Sequence, residues 1–412
     1  MHSPPVVISA EPPAPSTEIC GVSLLDRLLR ILQRLGYRTV TIVSSKPAAI
    51  EEHLGRPSWA RSEIAVTVKQ QSGDTFSADV VGTRHPQVVV VSANFYHDPR
   101  LLKTLMQQPG TALLIDSAAP APAPPSREFA TCGAAILSKD WLTGRSSPRP
   151  LFEELAVAAQ SGEIATIDVQ KQPTYVVDMR RHIRPLWFAA PGPEHLSQCE
   201  RALLDAAQNG TLDLPAKLHA PIETWIISHL CRTPVTPLQI TLFTAAVSAS
   251  VTWLFASGAL AIATILALLV GVLDGLDGKQ ARVKVETTEL GRREHILDYV
   301  LELSWWTALS WRFAESGQLP HAYGLLVLLL ASDLFDRWAK KLAKQHTGRN
   351  LDDLAPFDRF VRLIGGRRNI YVWILAAGLM LGRPDKAFLA LCVWGAATAA
   401  VHVMRALCIA RS

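Results

Sequence analysis

The pattern of apolar and polar positions divides the chain into two regions of different character. In the first region, short apolar runs with the length of buried strands occur at residues 6–9, 39–43, 88–91 and 112–115. Residues 24–35 place apolar side chains at helical spacing between the first two runs. Because strands that alternate with helices build parallel sheets, we predict a soluble α/β domain with a largely parallel sheet over residues 1–210.

Longer apolar stretches begin after Leu214, behind an amphipathic segment that contains several prolines. They occupy residues 240–256, 259–273, 296–311, 322–335, 370–381 and 388–403. Several are shorter than the roughly 20 residues that cross a bilayer core, so polar residues at their ends must face protein or lipid headgroups. We predict an all-α domain of six transmembrane helices over residues 211–412. The alternative is that some of these are core helices of a soluble domain.

Composition and charge favour the membrane interpretation. A hydrophobic share of 49% is high for a wholly soluble protein. The N-terminus lacks the basic start and apolar core of a secretory signal, so the first domain is expected in the cytoplasm. The connections after the second and fourth spans are then also cytoplasmic, and they carry most of the basic residues of this region. The expected location is a bacterial-type inner or cell membrane, crossed several times, with the N-terminal domain and active site cytoplasmic.

Two aspartates follow the second predicted span, in the segment Asp274-Gly-Leu-Asp277-Gly-Lys-Gln-Ala-Arg282. Residues three positions apart share one face of a helix. Ionisable groups beside an apolar segment are costly to keep, so they mark a candidate functional site.

Further carboxylates begin the third predicted span. Glu294, Asp298 and Glu302 are spaced four residues apart and line one helical face with like charges, which repel. Divalent cations held between this face and the two aspartates would relieve that repulsion. Hard cations such as Mg²⁺ take oxygen ligands and share them with substrate phosphates.

The order of these residues resembles the signature of the CDP-alcohol phosphotransferase family, D-x-x-D-G-x-x-A-R-x(8)-G-x(3)-D-x(3)-D. The chain matches its first half in full, through Gly291. The resemblance implies a membrane transferase that moves a phospho-alcohol group of the phosphatidyl type from a CDP-alcohol to an alcohol acceptor. CMP would be released, in phospholipid or polyol-phosphate biosynthesis. It further implies two divalent ions, Mg²⁺ or Mn²⁺, a polyol or polyol-phosphate acceptor, and a homodimer; no nucleic-acid partner is expected.

By this resemblance, the aspartates that follow the second span bind metal, and small or basic residues after them hold the CDP-linked donor. The metal ligands are Asp274 and Asp277; the donor residues are Gly278, Ala281, Arg282 and Gly291.

The second half of the signature departs from the family. Where the family has two aspartates, the chain has His295 and Tyr299, while Glu294 and Asp298 lie one position earlier. In a register shortened by one residue, Glu294 is the third metal ligand, and Asp298 is both a ligand and the catalytic base. In the unshifted register His295 replaces a ligand and the base is missing. The protein would then be a catalytically impaired membrane scaffold or nucleotide-binding protein.

A basic cluster precedes the fifth predicted span. Its residues Arg367 and Arg368 are candidates to hold a phosphate of the acceptor. An equally good explanation is that the cluster anchors the chain at the cytoplasmic membrane surface.

The N-terminal domain more faintly resembles the Rossmann-like sugar-phosphate nucleotidyltransferase fold, in residues 21–30 and in Asp98-Pro-Arg100. Some relatives fuse such a domain to this membrane domain. Where that family has a glycine-rich phosphate loop, residues 11–17 contain three prolines, which lack the backbone N–H groups that cradle phosphate. Ala93-Asn94 replaces its metal-binding Gly-Asp. We therefore predict a noncatalytic domain that scaffolds or regulates.

Overall fold

The structure, a computed structural model, describes residues 4–56, 64–71, 85–118, 129–143, 149–210, 213–286 and 294–411, without the side chains of residues 294 and 295. The chain forms two compact units. The first comprises Met1–Val176 with His182–Ala206, and the second comprises Val177–Arg181 with Ala207–Ser412.

A seven-stranded sheet forms the centre of the first unit. Its strands are β1 (Val6–Ser9), β4 (Thr39–Ser44), β5 (Ala65–Gln70), β6 (Gln87–Ser92), β8 (Ala112–Asp116), β9 (Ala130–Ser138) and β10 (Ala165–Asp168). The short strands are β2 (Glu18–Ile19), β3 (Val22–Ser23), β7 (Phe95–His97), β11 (Tyr175–Val176), β12 (Arg181–His182) and β13 (Trp187–Ala189). The central order is β10-β8-β9-β6-β1-β4-β5, and only β9 pairs antiparallel to its neighbours. The predicted α/β domain is confirmed.

Burial explains why these segments are strands. Strand β6 reads Gln-Val-Val-Val-Val-Ser and its four valines are at most 1% exposed. A β-branched run buried on both faces is typical of a strand inside a sheet covered by helices. The helices of this unit are α1 (Leu24–Arg34), α2 (Pro47–Gly55), α3 (Pro99–Met106), α4 (Lys139–Leu142), α5 (Leu151–Gln160) and α6 (Pro193–Ala206).

The second unit is helical. Its helices are α7 (Leu214–Leu230), α8 (Pro237–Ser257), α9 (Leu260–Lys284), α10 (Glu294–Glu315), α11 (Ala322–Thr347), α12 (Pro356–Ile364), α13 (Arg368–Met380) and α14 (Pro384–Arg411). Each of the six predicted stretches lies within or closely overlaps one of them. Among the described residues, three helices, α8, α9 and α14, are long and apolar enough to cross a membrane. The count of six spans and their orientation stay predictions.

Aromatic side chains pack the centre of this unit. Trp305, Phe313 and Phe388 are at most 1% exposed, and the Phe313 and Phe388 ring centroids are 5.6 Å apart. Helix α9 runs on past its apolar part to Lys284, so Asp274 and Asp277 belong to the helix itself. Because the helix is continuous, the packing of its apolar part also positions the polar residues at its end.

Candidate active site

A cavity of about 480 Å³ in the helical unit is lined by carboxylates from four parts of the chain. Its acidic lining residues are Asp213, Asp274, Asp298, Glu302, Asp333 and Asp336. Basic residues from α11, α12 and the start of α13 face them, namely Arg337, Lys340, Arg362, Arg367 and Arg368. In such a cavity the basic side chains can bind anionic groups of a ligand, and the acidic side chains can bind cations that accompany it.

Asp274 and Arg368 form an ion pair at this cavity. Asp274 Oδ2 lies 2.7 Å from Arg368 Nη2, and the Arg368 side chain is 15% exposed. Asp298 and Glu302 act electrostatically on the same guanidinium. Arg368, which the sequence indicated for an acceptor phosphate, therefore lies among the carboxylates as their positive partner.

Asp277 is more deeply placed than Asp274, with 9% of the residue exposed. Its Oδ2 accepts a hydrogen bond of 2.7 Å from the Thr241 hydroxyl, and its Oδ1 accepts one of 2.6 Å from Gly278 N–H. It is not among the lining residues of the cavity. Two donors orient this carboxylate before any ligand arrives.

The predicted donor residues occupy the last turns of α9. A Cβ added to Gly278 would lie 3.2 Å from Arg282 Nη1, so glycine permits the close approach of that guanidinium. Arg282 Nε donates to the carbonyl of Ala207 at 2.7 Å. Ala281 is half-buried on the same helix, while Gly291 lies outside the described residues.

A buried polar network that sequence reasoning missed lies against the same helix. Lys279 is 1% exposed and donates to Gln208 Oε1 and to the Thr224 hydroxyl, each at 2.5 Å. Burial raises the pKa of Glu223 to about 7 in spite of the opposing charge of Lys279. A Cβ on Gly275 would lie 2.5 Å from the Glu223 carboxyl group, so this glycine makes room for it.

Side chains of α9 also hold the connection between α7 and α8. Gln280 Nε2 donates to the carbonyl groups of Leu230 and Val235, at 3.3 and 3.1 Å. Lys284 Nζ donates to those of Thr233 and Val235, at 2.6 and 3.0 Å. These bonds tie the connection between α7 and α8 to the last turns of α9.

The first turns of α10 supply the remaining carboxylates. Asp298 and Glu302 both line the cavity, and Glu302 Oε1 accepts a hydrogen bond of 3.4 Å from Trp306 Nε1. Helix α10 begins at Glu294, but the side chains of Glu294 and His295 lie outside those that are described. The choice between the two registers therefore stays a prediction.

The chemistry of the donor set fits a hard divalent cation. Asp274, Asp277 and Asp298 offer only oxygen, the ligand that Mg²⁺ and Mn²⁺ prefer. Arg368 supplies a positive charge to this group through its ion pair with Asp274. Among the described side chains, no group of three or more histidines, cysteines, aspartates or glutamates is close enough to hold a metal.

The Arg367 Nη2 atom lies 3.3 Å from the buried carboxylate of Asp352, and Arg362 Nη1 lies 3.5 Å from the same oxygen. Both arginines line the cavity. Lys340 lines it as well and pairs with Asp336 at 2.5 Å. Arg367 therefore lies, as its sequence position suggested, beside other basic groups.

In the first unit, the segment after β1 forms a 3₁₀ turn at Ala14–Ser16, and the Glu11 carboxylate accepts from Ser45 N–H at 2.9 Å. At the ends of β8 and β10, Asp116 accepts from Trp187 Nε1 at 2.7 Å and from Gln170 Nε2 at 2.8 Å. Asp168 accepts from the Ser117 hydroxyl at 2.7 Å. Protein donors thus already bind these strand-end carboxylates.

The second unit combines apolar helices with an acidic cavity faced by arginines. Residues 234–401 match the family model described as CDP-alcohol phosphatidyltransferase. The C-terminal part of the chain is a CDP-alcohol phosphatidyltransferase domain, and the protein is a membrane transferase.

One similar protein extends over both units, and two solved structures each match about half of the chain. The bifunctional IPC transferase and DIPP synthase of Rubrobacter xylanophilus is 24% identical over 418 residues, which cover 92% of this chain and 88% of the relative. The phosphatidylinositol phosphate synthase of Mycobacterium tuberculosis, solved with CDP-DAG bound, matches 46% of this chain and 94% of its own, with 18% identity and a TM-score of 0.36. The inositol-1-phosphate CTP transferase of T. maritima matches 49% of this chain and 95% of its own, with 12% identity and a TM-score of 0.36.

Several lining residues were not among the predicted site residues. Asp333 and Asp336 lie in α11, at the end of an apolar stretch that was predicted to cross the membrane. Ionisable residues in such a stretch are functional candidates, so this signal was present in the sequence. Asp213 and Tyr371 gave no comparable signal, because only the packing of α7 and α13 brings them to the cavity.

Proposed function

We propose that the protein transfers a phospho-alcohol group of the phosphatidyl type from a CDP-alcohol to a polyol or polyol-phosphate acceptor and releases CMP. The reaction would serve phospholipid or polyol-phosphate biosynthesis. The observation that carries this proposal is the meeting of Asp274 and Asp298 with several arginines at one cavity, beside the end of α9 that bears the family signature.

The assigned roles follow from the chemistry of phosphoryl transfer. The acceptor hydroxyl oxygen attacks the phosphorus of the donor, the bond from that phosphorus to CMP breaks, and Asp298 takes the hydroxyl proton. Asp274, Asp277, Glu294 and Asp298 would hold two Mg²⁺ or Mn²⁺ ions, which offset the negative charge of the pyrophosphate when bound. Gly278, Ala281, Arg282 and Gly291 would hold the CDP moiety. Arg367 would bind an acceptor phosphate, with Arg368 beside it.

The direct test is CMP release by the purified full chain in nanodiscs. CDP-diacylglycerol and soluble CDP-alcohols serve as donors, with polyols and polyol phosphates as acceptors, and Mg²⁺ or Mn²⁺ is added or withheld. We expect release that requires metal and is lost in Asp277→Asn. Binding of a CDP donor without CMP release across the panel would instead identify the impaired scaffold or nucleotide-binding protein.

We further propose that the N-terminal domain, residues 1–210, does not catalyse nucleotidyl transfer and instead scaffolds or regulates the membrane domain. The 3₁₀ turn after β1 and the internally bonded Asp116 and Asp168 support this. The test is pyrophosphate release from CTP and a panel of polyol phosphates by the full chain. Release above the background without enzyme would refute the proposal.

The remaining proposals concern topology and assembly. We propose six spans with a cytoplasmic N-terminal domain and active site, in a homodimer. Protease digestion of sealed inverted vesicles should cleave the N-terminal domain, whereas right-side-out vesicles should protect it. Native mass spectrometry in nanodiscs should give twice the mass of one chain.

A further inference from the structure

Asp352 is the centre of a buried cluster of charges in the second unit. It lies in a 3₁₀ turn at Leu351–Asp353, and its side chain is 4% exposed. Its Oδ2 lies 3.2 Å from Arg180 Nη1, 3.3 Å from Arg367 Nη2 and 3.5 Å from Arg362 Nη1. Three guanidinium groups therefore share one carboxylate oxygen. We call these four residues the Asp352 cluster.

Within the Asp352 cluster, basic side chains outnumber acidic ones. Three arginines and one aspartate give a formal charge of 3 − 1 = +2 for these four side chains. Guanidinium groups this close to one another repel, and an anion beside them reduces that repulsion. Because Arg362 and Arg367 also line the cavity, an anion bound there can reach the cluster.

Arg180 reaches Asp352 from a part of the chain remote in sequence. The segment Val177–Arg181 belongs to the second unit, although residues on both sides of it belong to the first. Met179 accepts a hydrogen bond of 2.9 Å from Gly210 N–H, and Arg181 Nη1 donates to the Gln208 carbonyl at 3.4 Å. The backbone on each side of Arg180 is thus held in place.

The backbone at Arg180 is strained in a way that suits this role. Its φ is +50°, in the left-handed region, where the Cβ of a non-glycine residue crowds the backbone. A Cβ added to Gly210 would lie 2.8 Å from the Arg180 carbonyl oxygen, so the segment packs too closely for a larger residue. Backbone strain of this kind persists only where the surrounding structure enforces it and is concentrated at functional sites.

We propose that Arg180 is a positioning residue for acceptor binding: through Asp352 it holds Arg362 and Arg367 in place for an anionic group of the acceptor. The acceptor is accordingly a phosphorylated polyol in preference to a neutral one. This proposal rests on the proposed function, because it deepens the description of the same site. Arg180 itself is not among the lining residues, so its effect passes through the other arginines.

The kinetic test uses the full chain in nanodiscs, with Arg180→Gln, Arg180→Lys and Arg405→Gln. Arg405 is the matched control, because it pairs with the buried Asp358 at 2.8 Å, and neither residue lines the cavity. We expect Arg180→Gln to raise KM for phosphorylated polyols about 10-fold, as loss of a charge-assisted contact predicts. KM for the CDP donor and for neutral polyols should stay unchanged, Arg180→Lys should recover part of the loss, and Arg405→Gln should match the wild type.

A binding measurement separates this proposal from the proposed function. Inorganic phosphate should raise the thermal unfolding midpoint of the wild type and of Arg405→Gln, because a ligand that binds the folded state stabilises it. The rise should be smaller in Arg180→Gln. If no CMP is released but the phosphate effect still depends on Arg180, the proposed function fails and the anion site stands.

Two results would overturn the inference. One is an equal rise in KM for donor, neutral and phosphorylated acceptors in Arg180→Gln, which indicates a purely structural role. The other is a phosphate-induced rise in the unfolding midpoint that is the same in Arg180→Gln and the wild type. Asp352→Asn, which keeps the size of the side chain but removes its charge, should reproduce the selective loss for phosphorylated acceptors.

Discussion

Each unit of this protein contains buried or half-buried carboxylates, but the two sets have different surroundings. In the first unit, Asp116 and Asp168 at the strand ends are bonded by Trp187, Gln170 and Ser117. In the second, Asp274 and Asp298 line a cavity of about 480 Å³. Carboxylates saturated by protein donors stabilise a fold, whereas carboxylates beside a cavity remain available to ligands and cations.

The comparison teaches that the number of acidic residues is a weak indicator of a site. Asp168 shows this well: hydrogen bonds from Ser117 and Gln170 hold its pKa below the ordinary value in spite of burial. Asp168 thus already has several protein donors, and their presence favours a structural role for it. The four predictions below test this difference, from the largest expected effect to the smallest.

Asp277→Asn and Asp116→Asn are matched changes in the two units. A general base typically contributes about 10²–10⁴-fold to a rate. We expect Asp277→Asn to lower CMP release by more than this, because loss of the metal removes several catalytic effects together. Asp116→Asn should leave CMP release within about twofold of the wild type. Steady-state CMP release under identical conditions is the measurement. A large loss in Asp116→Asn would break the comparison, because it would make the first unit part of the reaction.

Asp298→Asn should remove the proton acceptor but keep the donor site. CMP release should fall about 10²–10⁴-fold, with donor affinity unchanged in equilibrium binding of a CDP-alcohol.

The alternatives for the start of α10 are separated by Glu294→Ala and His295→Ala. The shortened register predicts that Glu294→Ala loses CMP release and that His295→Ala keeps it. The opposite result, with CMP release lost in His295→Ala and kept in Glu294→Ala, would show that the unshifted register is correct.

His97 tests whether buried groups of the first unit affect stability alone. It is 1% exposed, and burial lowers its pKa to about 4, although Nε2 bonds to the Cys132 carbonyl at 2.7 Å. Below about pH 6.5 the unfolded chain gains a proton that the folded unit does not. The free energy of unfolding should therefore fall by up to about 3 kcal/mol as the pH drops from 6.5 to 4.

The measurement for His97 is hydrogen exchange of the β9 peptide in the full chain across this pH range, corrected for the intrinsic exchange rate. In His97→Gln, the fall in the free energy of unfolding that protonation of His97 causes between pH 6.5 and 4 should be absent. The exposed His85 provides the control variant His85→Gln, which should behave as the wild type does. Unchanged acid sensitivity in His97→Gln would contradict the assignment.

Thr241→Val should have the smallest effect, because it removes only the hydroxyl that orients Asp277. Loss of such a contact to a metal ligand typically costs about 10–100-fold in metal affinity. The apparent Mg²⁺ requirement for CMP release should rise accordingly, with little change at saturating Mg²⁺. Thr252→Val on the same helix removes a 2.6 Å bond to Ser304 and should leave the Mg²⁺ requirement unaltered. Equal responses from the two variants would remove the support for a metal at Asp277.

The sequence by itself determined the two kinds of architecture and the location of the signature. Valine-rich runs and long apolar stretches predict strands and helices because burial follows local patterns of side chains. Thus β6 and α9 were both predictable. Asp274, Asp277 and Asp298 were identified because their spacing along a helix is local information.

Only the tertiary structure decided which charges meet. Arg368 was a candidate phosphate ligand in the sequence, yet it pairs with Asp274, 94 positions earlier by residue number (368 − 274). Arg180 and Asp352 are 172 residues apart, and no pattern of either segment indicates the other. Such pairs depend on how the helices pack, and packing depends on the shapes of many buried side chains together. The sequence therefore predicts the chemical groups of the site, whereas the fold determines their partners.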